Sequence, residues 1–394
     1  MSQQSEPTEF ASGSRTLISP RSKAQRRIIT ALGSVATFLF LTSRGFSDPD
    51  LSPEVLVLPG IFTTPETGFG AGAGLFVLDR PISGSRGSKA NALRIGAIYT
   101  EKKQFIVRGS LEKYLNDERD LLSASVVAQE YPDSFFGIGS NTRVVDEEKY
   151  ISHAWNAQAK YLHEYSSNLY FGAYALLSDE RIDHLTPDGF LALRTDQNKN
   201  QINGIDPVRL GGAGITIRLD TRDDYQDPTK GYFVEGGTIL YRKAFGSTHE
   251  FNTTTLDGRW FVPLTTADNP LRLGFQTVIT SNNGSPPFQS LAQLGGRDVL
   301  RGYFLGRFRD RKLLAFQSEL RIPLRGKWGA VGYAAVGNVS KSWDGMRAKE
   351  FKPAGGIGAR YRFSDVQKVN LRLDFTWGHE TPNPSYYLSL AEAF

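Results

Sequence analysis

The sequence predicts an all-β protein, a transmembrane antiparallel β-barrel of about 16 strands with one long loop that folds inward. Short segments of alternating apolar and polar residues, the period of a β-strand, run through the chain from residue 54 to its end. After residue 47, no apolar run is long enough to cross a membrane as a helix. Aromatic residues make up 12% of the chain and 40 of its 394 residues are glycine, which suits strands and turns.

The composition also excludes several kinds of function. The chain has no cysteine, so it has no disulfide framework, no thiol nucleophile and no Cys-ligated metal. Its formal net charge is +5, and much of that excess lies in the N-terminal stretch, which leaves the remainder near neutral. There is therefore no electrostatic case for nucleic acid binding, and we expect neither a nucleic acid partner nor a cofactor.

Residues 1–47 are predicted to be an N-terminal extension and a signal peptide, and residues 48–394 to be the barrel domain. A basic region is followed by an apolar run from Ile28 to Leu41 and then by small residues, which is the order of a secretory signal. The apolar run is short for a transmembrane helix, and cleavage after Ser47 fits the pattern. The alternative is a membrane anchor that is never cleaved.

The stretch VNLRLDFTWG at 369–378 has the clearest alternation. One face carries Val369, Leu371, Leu373, Phe375 and Trp377, and the other carries Asn370, Arg372, Asp374 and Thr376. Charged side chains that face the core of a soluble protein would cost a large free energy, whereas a wet lumen and a lipid-facing wall accommodate both faces. The alternative is a soluble β-sandwich with one solvated face.

The same alternation sets the expected strand inventory. We expect strands at 54–62, 68–79, 91–101, 103–114, 119–130, 151–165, 168–180, 208–220, 230–243, 249–262, 271–283, 311–324, 328–340, 350–363, 367–378 and 385–394. This even count is typical of bacterial outer-membrane barrels. The long connections at 131–150, 181–207 and 284–310 fall on one side of the barrel, as extracellular loops do.

The C-terminal stretch SYYLSLAEAF has apolar residues at alternate positions and ends on an aromatic residue. The residues of this pattern are Tyr386, Leu388, Leu390 and Phe394, and Glu392 departs from it. The stretch resembles the recognition strand by which outer-membrane barrels are delivered to their assembly machinery. We therefore expect that machinery and outer-membrane lipid to be partners of the chain.

The stretch LGGRDVLRGYFLGRFRD at 294–310 has no strand period and is rich in glycine and arginine. In a barrel such a stretch can fold inward, because Gly302 lets the backbone turn tightly. Arg301 would then lie in the lumen, where a carboxylate must meet its charge. Glu319 on the following strand has the polar-facing parity, and a bidentate Arg301–Glu319 pair would hold the loop against the inner wall.

The tip of this stretch resembles the long inward loop of the BamA/TamA-type outer-membrane family, also called the bacterial surface antigen family. That loop has a (V/I/L)-R-G-(F/Y) tip between the eleventh and twelfth strands of the family. The matching residues here are Leu300, Arg301, Gly302 and Tyr303, and they are preceded by Gly295 and Gly296. The resemblance covers nearly all of 53–394, and it implies a location in the outer membrane of a Gram-negative bacterium.

A second segment, DTRDDYQDPTKGYFVEG at 220–236, resembles a strand–turn–strand segment of the same family. The residues that mark it are Asp220, Arg222, Asp223, Pro228 and Gly231. Pro228 and Gly231 indicate a turn, which we place on the periplasmic side.

The sequence departs from the family pattern at two points. Ala335 stands where the family has an aspartate that contacts the loop arginine, so we expect the loop to be held by Glu319 alone, or by another acid such as Asp298 or Asp310. Family members that insert proteins also carry periplasmic POTRA domains before the barrel, and we expect a short form that lacks them.

The resemblance leaves several functions open. The first is a structural or pore-type barrel plugged by its loop, with an accessory role in outer-membrane biogenesis or transport. The second is a protein or lipid insertase that works with a separate periplasmic partner, which Pro53, Pro59 and Pro65 favour because proline loosens the first strand and its seam with the last.

An enzyme is not expected, because the histidines are scattered and no Ser-His-acid or metal-binding motif stands out. The five histidines are His153, His163, His184, His249 and His379. The acidic runs at 146–148 and 223–224 are interpreted as solvated loop residues, and no metal site is expected.

Overall fold

The computed structural model describes residues 54–79, 91–224, 226–364, 368–381, 384–390 and 392–394, so the predicted extension and signal peptide lie outside the described residues. The strands are β1 (Glu54–Thr64), β2 (Gly68–Asp79), β3 (Asn91–Thr100), β4 (Phe105–Leu115), β5 (Asp120–Phe135), β6 (Glu148–Ser166), β7 (Leu169–Asp183), β8 (Val208–Asp220), β9 (Gly231–Tyr241), β10 (Phe251–Pro263), β11 (Arg272–Gly284), β12 (Ala292–Leu294), β13 (Phe308–Asp310), β14 (Lys312–Pro323), β15 (Trp328–Ser340), β16 (Lys352–Ser364), β17 (Val369–Gly378) and β18 (Ser385–Leu390). The same residues include a short helix α1 (Phe190–Leu193) and 3-10 turns at Val144–Asp146, Lys243–Phe245, Phe288–Ser290 and Ala348–Glu350.

Within the described residues, sixteen strands close into one antiparallel barrel, which confirms the predicted fold class. The remaining two, β12 and β13, form a separate two-stranded sheet between the eleventh and twelfth barrel strands, β11 and β14, and Arg309 of β13 also bridges to Gly139. No helix in the described part of the chain is long and apolar enough to cross a membrane.

The inward and outward faces of the wall follow the predicted alternation. On β17, Phe375 and Trp377 are 37% and 47% exposed, whereas the intervening charged residues Arg372 and Asp374 are 1% and 2% exposed. Aromatic side chains thus point away from the barrel and charged ones point into it. This arrangement of apolar side chains outside and charged side chains inside is the reverse of that in a soluble protein, and a lipid-facing wall around a polar lumen requires it.

The two ends of the barrel differ in the length of their connections. One end, here called the loop end, carries the long connections at 136–147, 184–207 and 285–311. The other, the turn end, carries shorter connections at 116–119, 167–168, 221–230, 264–271 and 324–327. Short turns on one side and long loops on the other are typical of outer-membrane barrels.

Several predicted strand bounds were wrong. β5 and β6 extend beyond 119–130 and 151–165, because their pairing continues into the loop end as far as Phe135 and Glu148. The last strand ends at Leu390 rather than at Phe394, and residues 392–394 lie outside it.

The seam between the first and last strands is short. Among the described residues, β1 pairs with β18 at Thr63 and Leu388, whereas β1 pairs with β2 along its whole length, from Glu54 to Thr64. Pro59 lies within β1 opposite Ala73 and has no backbone N–H to donate. The barrel is therefore closed by far fewer pairs at this seam than between β1 and β2.

Candidate functional site

Residues 285–311, here called the RG segment, fold as a small hairpin of their own. β12 and β13 pair from Ala292 with Asp310 to Leu294 with Phe308, and the glycine-rich tip lies between them. Gly295 and Gly296 have φ values of +116° and +82° at one side of the tip, a region that disfavours any residue with a Cβ. The predicted glycine pair therefore sets the start of the turn.

The tip buries apolar side chains against the wall. Leu294, Leu300, Tyr303 and Phe308 are each 0% exposed. They form one cluster with the inward-facing residues Leu313 and Ala315 of β14 and Val331, Tyr333, Ala335 and Val339 of β15. Burial of this apolar surface fixes the tip against β14 and β15.

Arg301 lies at the centre of the tip and is 0% exposed. Its guanidinium donates from Nη1 to Asp374 Oδ2 at 2.7 Å and from Nη2 to Glu319 Oε1. The fork is thus divided between two carboxylates on two strands, β17 and β14, rather than bidentate to Glu319. One side chain therefore connects two strands that are separated in the sheet by β15 and β16.

The surroundings of Arg301 favour its charged form. Burial acts to lower the pKa of this guanidinium, but Glu319 and Asp374 outweigh burial and the pKa lies above its ordinary value. The guanidinium also lies over the Tyr333 ring, 3.9 Å from its centroid, which adds a cation–π contact. The Tyr333 hydroxyl donates to the Arg301 carbonyl at 3.3 Å.

Further arginines extend this pair into a buried ionic cluster. Arg321 Nε donates to Glu319 at 2.9 Å, and Arg360 donates from Nη1 to Asp374 at 2.6 Å and from Nε to Glu392 at 2.8 Å. Arg372 Nε lies 3.4 Å from Asp374. Among the described residues, the cluster thus holds the guanidiniums of Arg301, Arg321, Arg360 and Arg372 and the carboxylates of Glu319, Asp374 and Glu392.

The RG segment also contacts two connections outside this cluster, between β1 and β2 and between β5 and β6. Leu305 N donates to Glu66 Oε1 at 2.8 Å, in the turn between β1 and β2. Arg307 donates to the Thr142 hydroxyl and carbonyl at 2.7 and 2.8 Å, in the connection between β5 and β6. Burial raises the pKa of Glu66 above its ordinary value.

Tyr303 and Gly302 connect the tip to the last strands. The Tyr303 hydroxyl donates to the Pro353 carbonyl at 2.9 Å and accepts from His379 N at 2.9 Å. Gly302 has φ +107°, and a Cβ at this residue would lie 2.7 Å from the Trp377 carbonyl carbon. Only glycine fits this close approach of two backbones.

The structure corrects the expected partners of Arg301. Ala335 is buried in the apolar cluster and leaves no acid at its position, but the second acid is Asp374 rather than Asp298 or Asp310. Asp298 pairs with its neighbour Arg297 at 3.2 Å on the exposed surface. The sequence placed Asp374 on the inward face of its strand, and no local signal connected it with the tip.

The turn at 221–230 holds its own network. Asp220 accepts from Arg222 at 2.8 and 2.9 Å, and Asp223 Oδ1 accepts from Thr229 N at 2.9 Å. Gly231 has φ +98°, and Pro228 is buried. The sequence missed Asp227, which is 2% exposed and meets Arg272 Nη2 at 2.5 Å.

The C-terminal residues lie in two environments. Tyr386 is 42% exposed on β18, and Leu388 and Leu390 follow it in the same strand. Phe394 is buried, stacks on Phe261 with ring centroids 6.1 Å apart, and its carbonyl accepts from Arg321 Nη2 at 2.8 Å. The terminal aromatic thus packs among residues next to the ionic cluster instead of continuing the outward face of the strand.

The acidic runs are engaged in local contacts. Asp146 accepts from Arg143 at 2.7 and 2.9 Å, and Glu148 Oε2 accepts from Leu191 N at 3.1 Å. Within the described ranges, no group of three or more His, Cys, Asp or Glu side chains is arranged to hold a metal ion.

Comparison with known proteins identifies what the chain is similar to. The Omp85 superfamily domain matches residues 91–383. The solved structure of BamA from Haemophilus ducreyi lacking POTRA domains 1-3 is similar with a TM-score of 0.60 and 12% identity, over 86% of this chain and 70% of that one.

Two structures of CdiB are also similar, again over 86% of this chain. The protein from Acinetobacter baumannii has a TM-score of 0.52 and 11% identity, and this chain spans 65% of its length. The protein from Escherichia coli has a TM-score of 0.54 and 8% identity over 67% of its length. No curated protein matches the chain by sequence. At such identities the three structures establish a common fold.

Proposed function

The chain belongs to the Omp85 superfamily and lies in the outer membrane of a Gram-negative bacterium, and on that premise we propose that it is a plugged barrel. The RG segment folds into the lumen and closes it, and the barrel has a structural or pore-type role, or an accessory role, in outer-membrane biogenesis or transport. A separate periplasmic protein would be its partner.

The contacts of Arg301 carry this proposal. A residue that is 0% exposed and joins β14 to β17 cannot lie on the outer surface of the wall. The same segment reaches Glu66 and Thr142 near β1, β2, β5 and β6. A segment that contacts the wall in these separate places crosses the space that the barrel encloses.

Conductance in planar bilayers tests the plug. The purified barrel is compared with a variant that lacks residues 294–310, after heat-modifiable gel migration has established that both are folded. We expect the parent to be closed and the deletion variant to conduct ions through the polar lumen. Steady conductance of the parent would exclude a plug. If neither protein conducts ions, a pore-type role is disfavoured.

The short seam favours a second candidate, a protein or lipid insertase. A seam paired at Thr63 and Leu388 opens at a smaller cost in backbone hydrogen bonds than the pairing between β1 and β2. An open seam offers unpaired strand edges to an incoming strand.

A disulfide across the seam tests the insertase. Because the chain has no cysteine, Thr63→Cys with Leu388→Cys can form one defined crosslink between paired residues. Thr63→Cys with Phe69→Cys is the matched control, since it joins β1 to β2 and leaves the seam free. If the protein is an insertase, both reduced cysteine variants should accelerate the folding of a denatured outer-membrane barrel into vesicles. On oxidation, only the variant with the seam crosslink should lose this activity. If the reduced protein does not accelerate this folding, the insertase candidate is eliminated.

A further inference from the structure

A second feature lies at the turn end, away from the tip of the RG segment. A half-open cavity of about 260 Å³ is lined by the turns at 221–230, 264–271 and 324–327 and by residues of β11, β14, β15, β16 and β17. It is here called the basal cavity. Two of its lining residues, Arg321 and Arg360, also belong to the ionic cluster around Arg301.

The lining of the basal cavity is strongly basic. Its cationic side chains are Arg272, Arg321, Lys327, Arg360, Arg362 and Lys368, and its acidic side chains are Asp227, Asp268 and Glu392. Six positive and three negative groups line the cavity, and Arg321, Arg360 and Lys368 also pair with acids outside the lining, Glu319, Asp374 and Asp224. Clustered charge of one sign within low-dielectric walls attracts a counter-ion.

Several buried donors in this lining make no hydrogen bond, although Arg321 Nη1 lies 3.8 Å from Asp227 and Arg360 Nη2 lies 3.9 Å from Glu319. Arg272 Nε, Arg321 Nη1 and Arg360 Nη2 make no hydrogen bond with any described residue. These three residues are 5%, 3% and 5% exposed. A buried N–H without a partner is unfavourable, so a ligand that brings acceptor oxygens would stabilise this arrangement.

Two of the three carboxylates in the lining are already paired. Asp227 pairs with Arg272 and with Arg362, and Glu392 accepts from Arg360 at 2.8 Å and from Asn370 at 2.7 Å. They fix the orientation of the guanidiniums without using all of their donors. Guanidinium forks held in this way match the oxygens of a phosphate group.

We propose that the basal cavity is a binding site for a phosphate-type oxyanion. On the outer face of the same strands, Trp328 is 56% exposed and packs edge-on against Tyr361, with ring centroids 5.0 Å apart. Such aromatic pairs lie at the level of the lipid headgroups. The phosphate can therefore come from an anionic lipid headgroup or from solution, and the chemistry of recognition is the same.

Titration of the purified full chain with inorganic phosphate, in a detergent without phosphate, tests the site by calorimetry. Lys327 and Lys368 are exposed at the cavity, so Lys327→Gln with Lys368→Gln removes two charges, together with the Lys368–Asp224 pair at 3.0 Å, and keeps all four lining arginines. We expect phosphate affinity to fall by about tenfold in this variant. Asp268→Asn, which removes a negative charge, should raise the affinity severalfold. Lys349→Gln at the loop end is the matched control and should change nothing.

Native mass spectrometry distinguishes the two sources of phosphate. The parent and the double lysine variant are extracted from bilayers of phosphatidylglycerol and of phosphatidylcholine. Retention of phosphatidylglycerol by the parent alone assigns the site to a lipid headgroup. Saturable binding of inorganic phosphate without retained lipid assigns it to the free ion. Absence of both in the parent, or binding that neither the double lysine variant nor Asp268→Asn changes, would overturn the proposal.

Discussion

Arg301 Nη1 donates to Asp374 Oδ2 at 2.7 Å, although the two residues are 73 positions apart and lie on the RG segment and on β17. The same carboxylate also accepts from Arg360, and Arg372 lies 3.4 Å from it. Asp374 is thus the acid shared by three of the four guanidiniums in the ionic cluster, and Arg301 is one cation of four.

This imbalance predicts that the acid matters more than the arginine. Arg301→Gln leaves three guanidiniums and three carboxylates, so Glu319 remains paired with Arg321, whereas Asp374→Asn leaves four buried cations and two acids. We expect Asp374→Asn to lower the free energy of unfolding by about 3–5 kcal/mol and Arg301→Gln by less.

The temperature at which heat-modifiable gel migration is lost measures both effects. Asp298→Asn is the control, because the Asp298 carboxylate pairs with its exposed neighbour Arg297 and the contact of Asp298 with Gln317 is through its main-chain oxygen, which the substitution keeps. It should be neutral. A larger loss for Arg301→Gln than for Asp374→Asn would contradict the charge count.

Gly302→Ala is expected to displace the tip. The φ of +107° disfavours alanine, and its Cβ would meet the backbone of Trp377 and Gly378 at 2.7 and 2.8 Å. Gly246→Ala is the matched control, since Gly246 has φ +86° but no atom within 4 Å of a Cβ. Thermal unfolding in detergent should show that Gly302→Ala loses well over ~1 kcal/mol of stability, which is the backbone penalty, whereas Gly246→Ala loses only that penalty. Equal effects of the two variants would refute the close approach.

The Tyr333 ring and hydroxyl are separable. Tyr333→Phe removes the hydrogen bond to the Arg301 carbonyl and keeps the ring under the guanidinium. We expect a loss of about 0.5–1.5 kcal/mol for Tyr333→Phe. Tyr333→Leu should cost about 0.5–2 kcal/mol more, because the cation–π contact is lost as well. Equal unfolding midpoints for the two variants would mean that the ring adds no such contact.

Asp310, in the RG segment, makes the stability of the folded protein depend on pH. Burial raises the pKa of its carboxyl from 3.8 to about 6, with Arg311 and Lys341 lowering it and Asp196 adding repulsion. The folded state therefore holds this proton more tightly than the unfolded chain, and stability falls as pH rises from about 4 to about 6.

Asp310→Asn should remove this fall. The amide oxygen can still accept from Arg311 N, which donates to Asp310 at 2.7 Å. We expect the variant to be more stable than the parent above pH 6, by up to about 3 kcal/mol, and equal to it near pH 4. Tryptophan fluorescence during thermal unfolding across this pH range measures the difference. Parallel pH profiles would contradict the assignment.

The strands and their two faces were predictable because both depend on a period of two that is local in sequence. β17 is an example, since its aromatic residues lie outside and Arg372 and Asp374 lie inside. The match of Arg301 with Asp374 was not predictable, because it depends on which distant strands meet the tip. The basal cavity was missed for the same reason: its arginines are spread over β11, β14 and β16.

The central claim, that the RG segment is held inside the lumen, is tested most directly by thiol labelling at two leucines of its tip. The chain has no cysteine, so Leu300→Cys and Leu305→Cys each carry a single thiol. Leu300 is 0% exposed and Leu305 is 44% exposed. In the folded barrel, a membrane-impermeant maleimide should label Leu305→Cys rapidly and Leu300→Cys at least about a hundredfold more slowly, because labelling of a buried thiol must wait for local opening. Similar labelling rates at the two positions would mean that the tip is not held against the wall, and the plugged barrel would have to be abandoned.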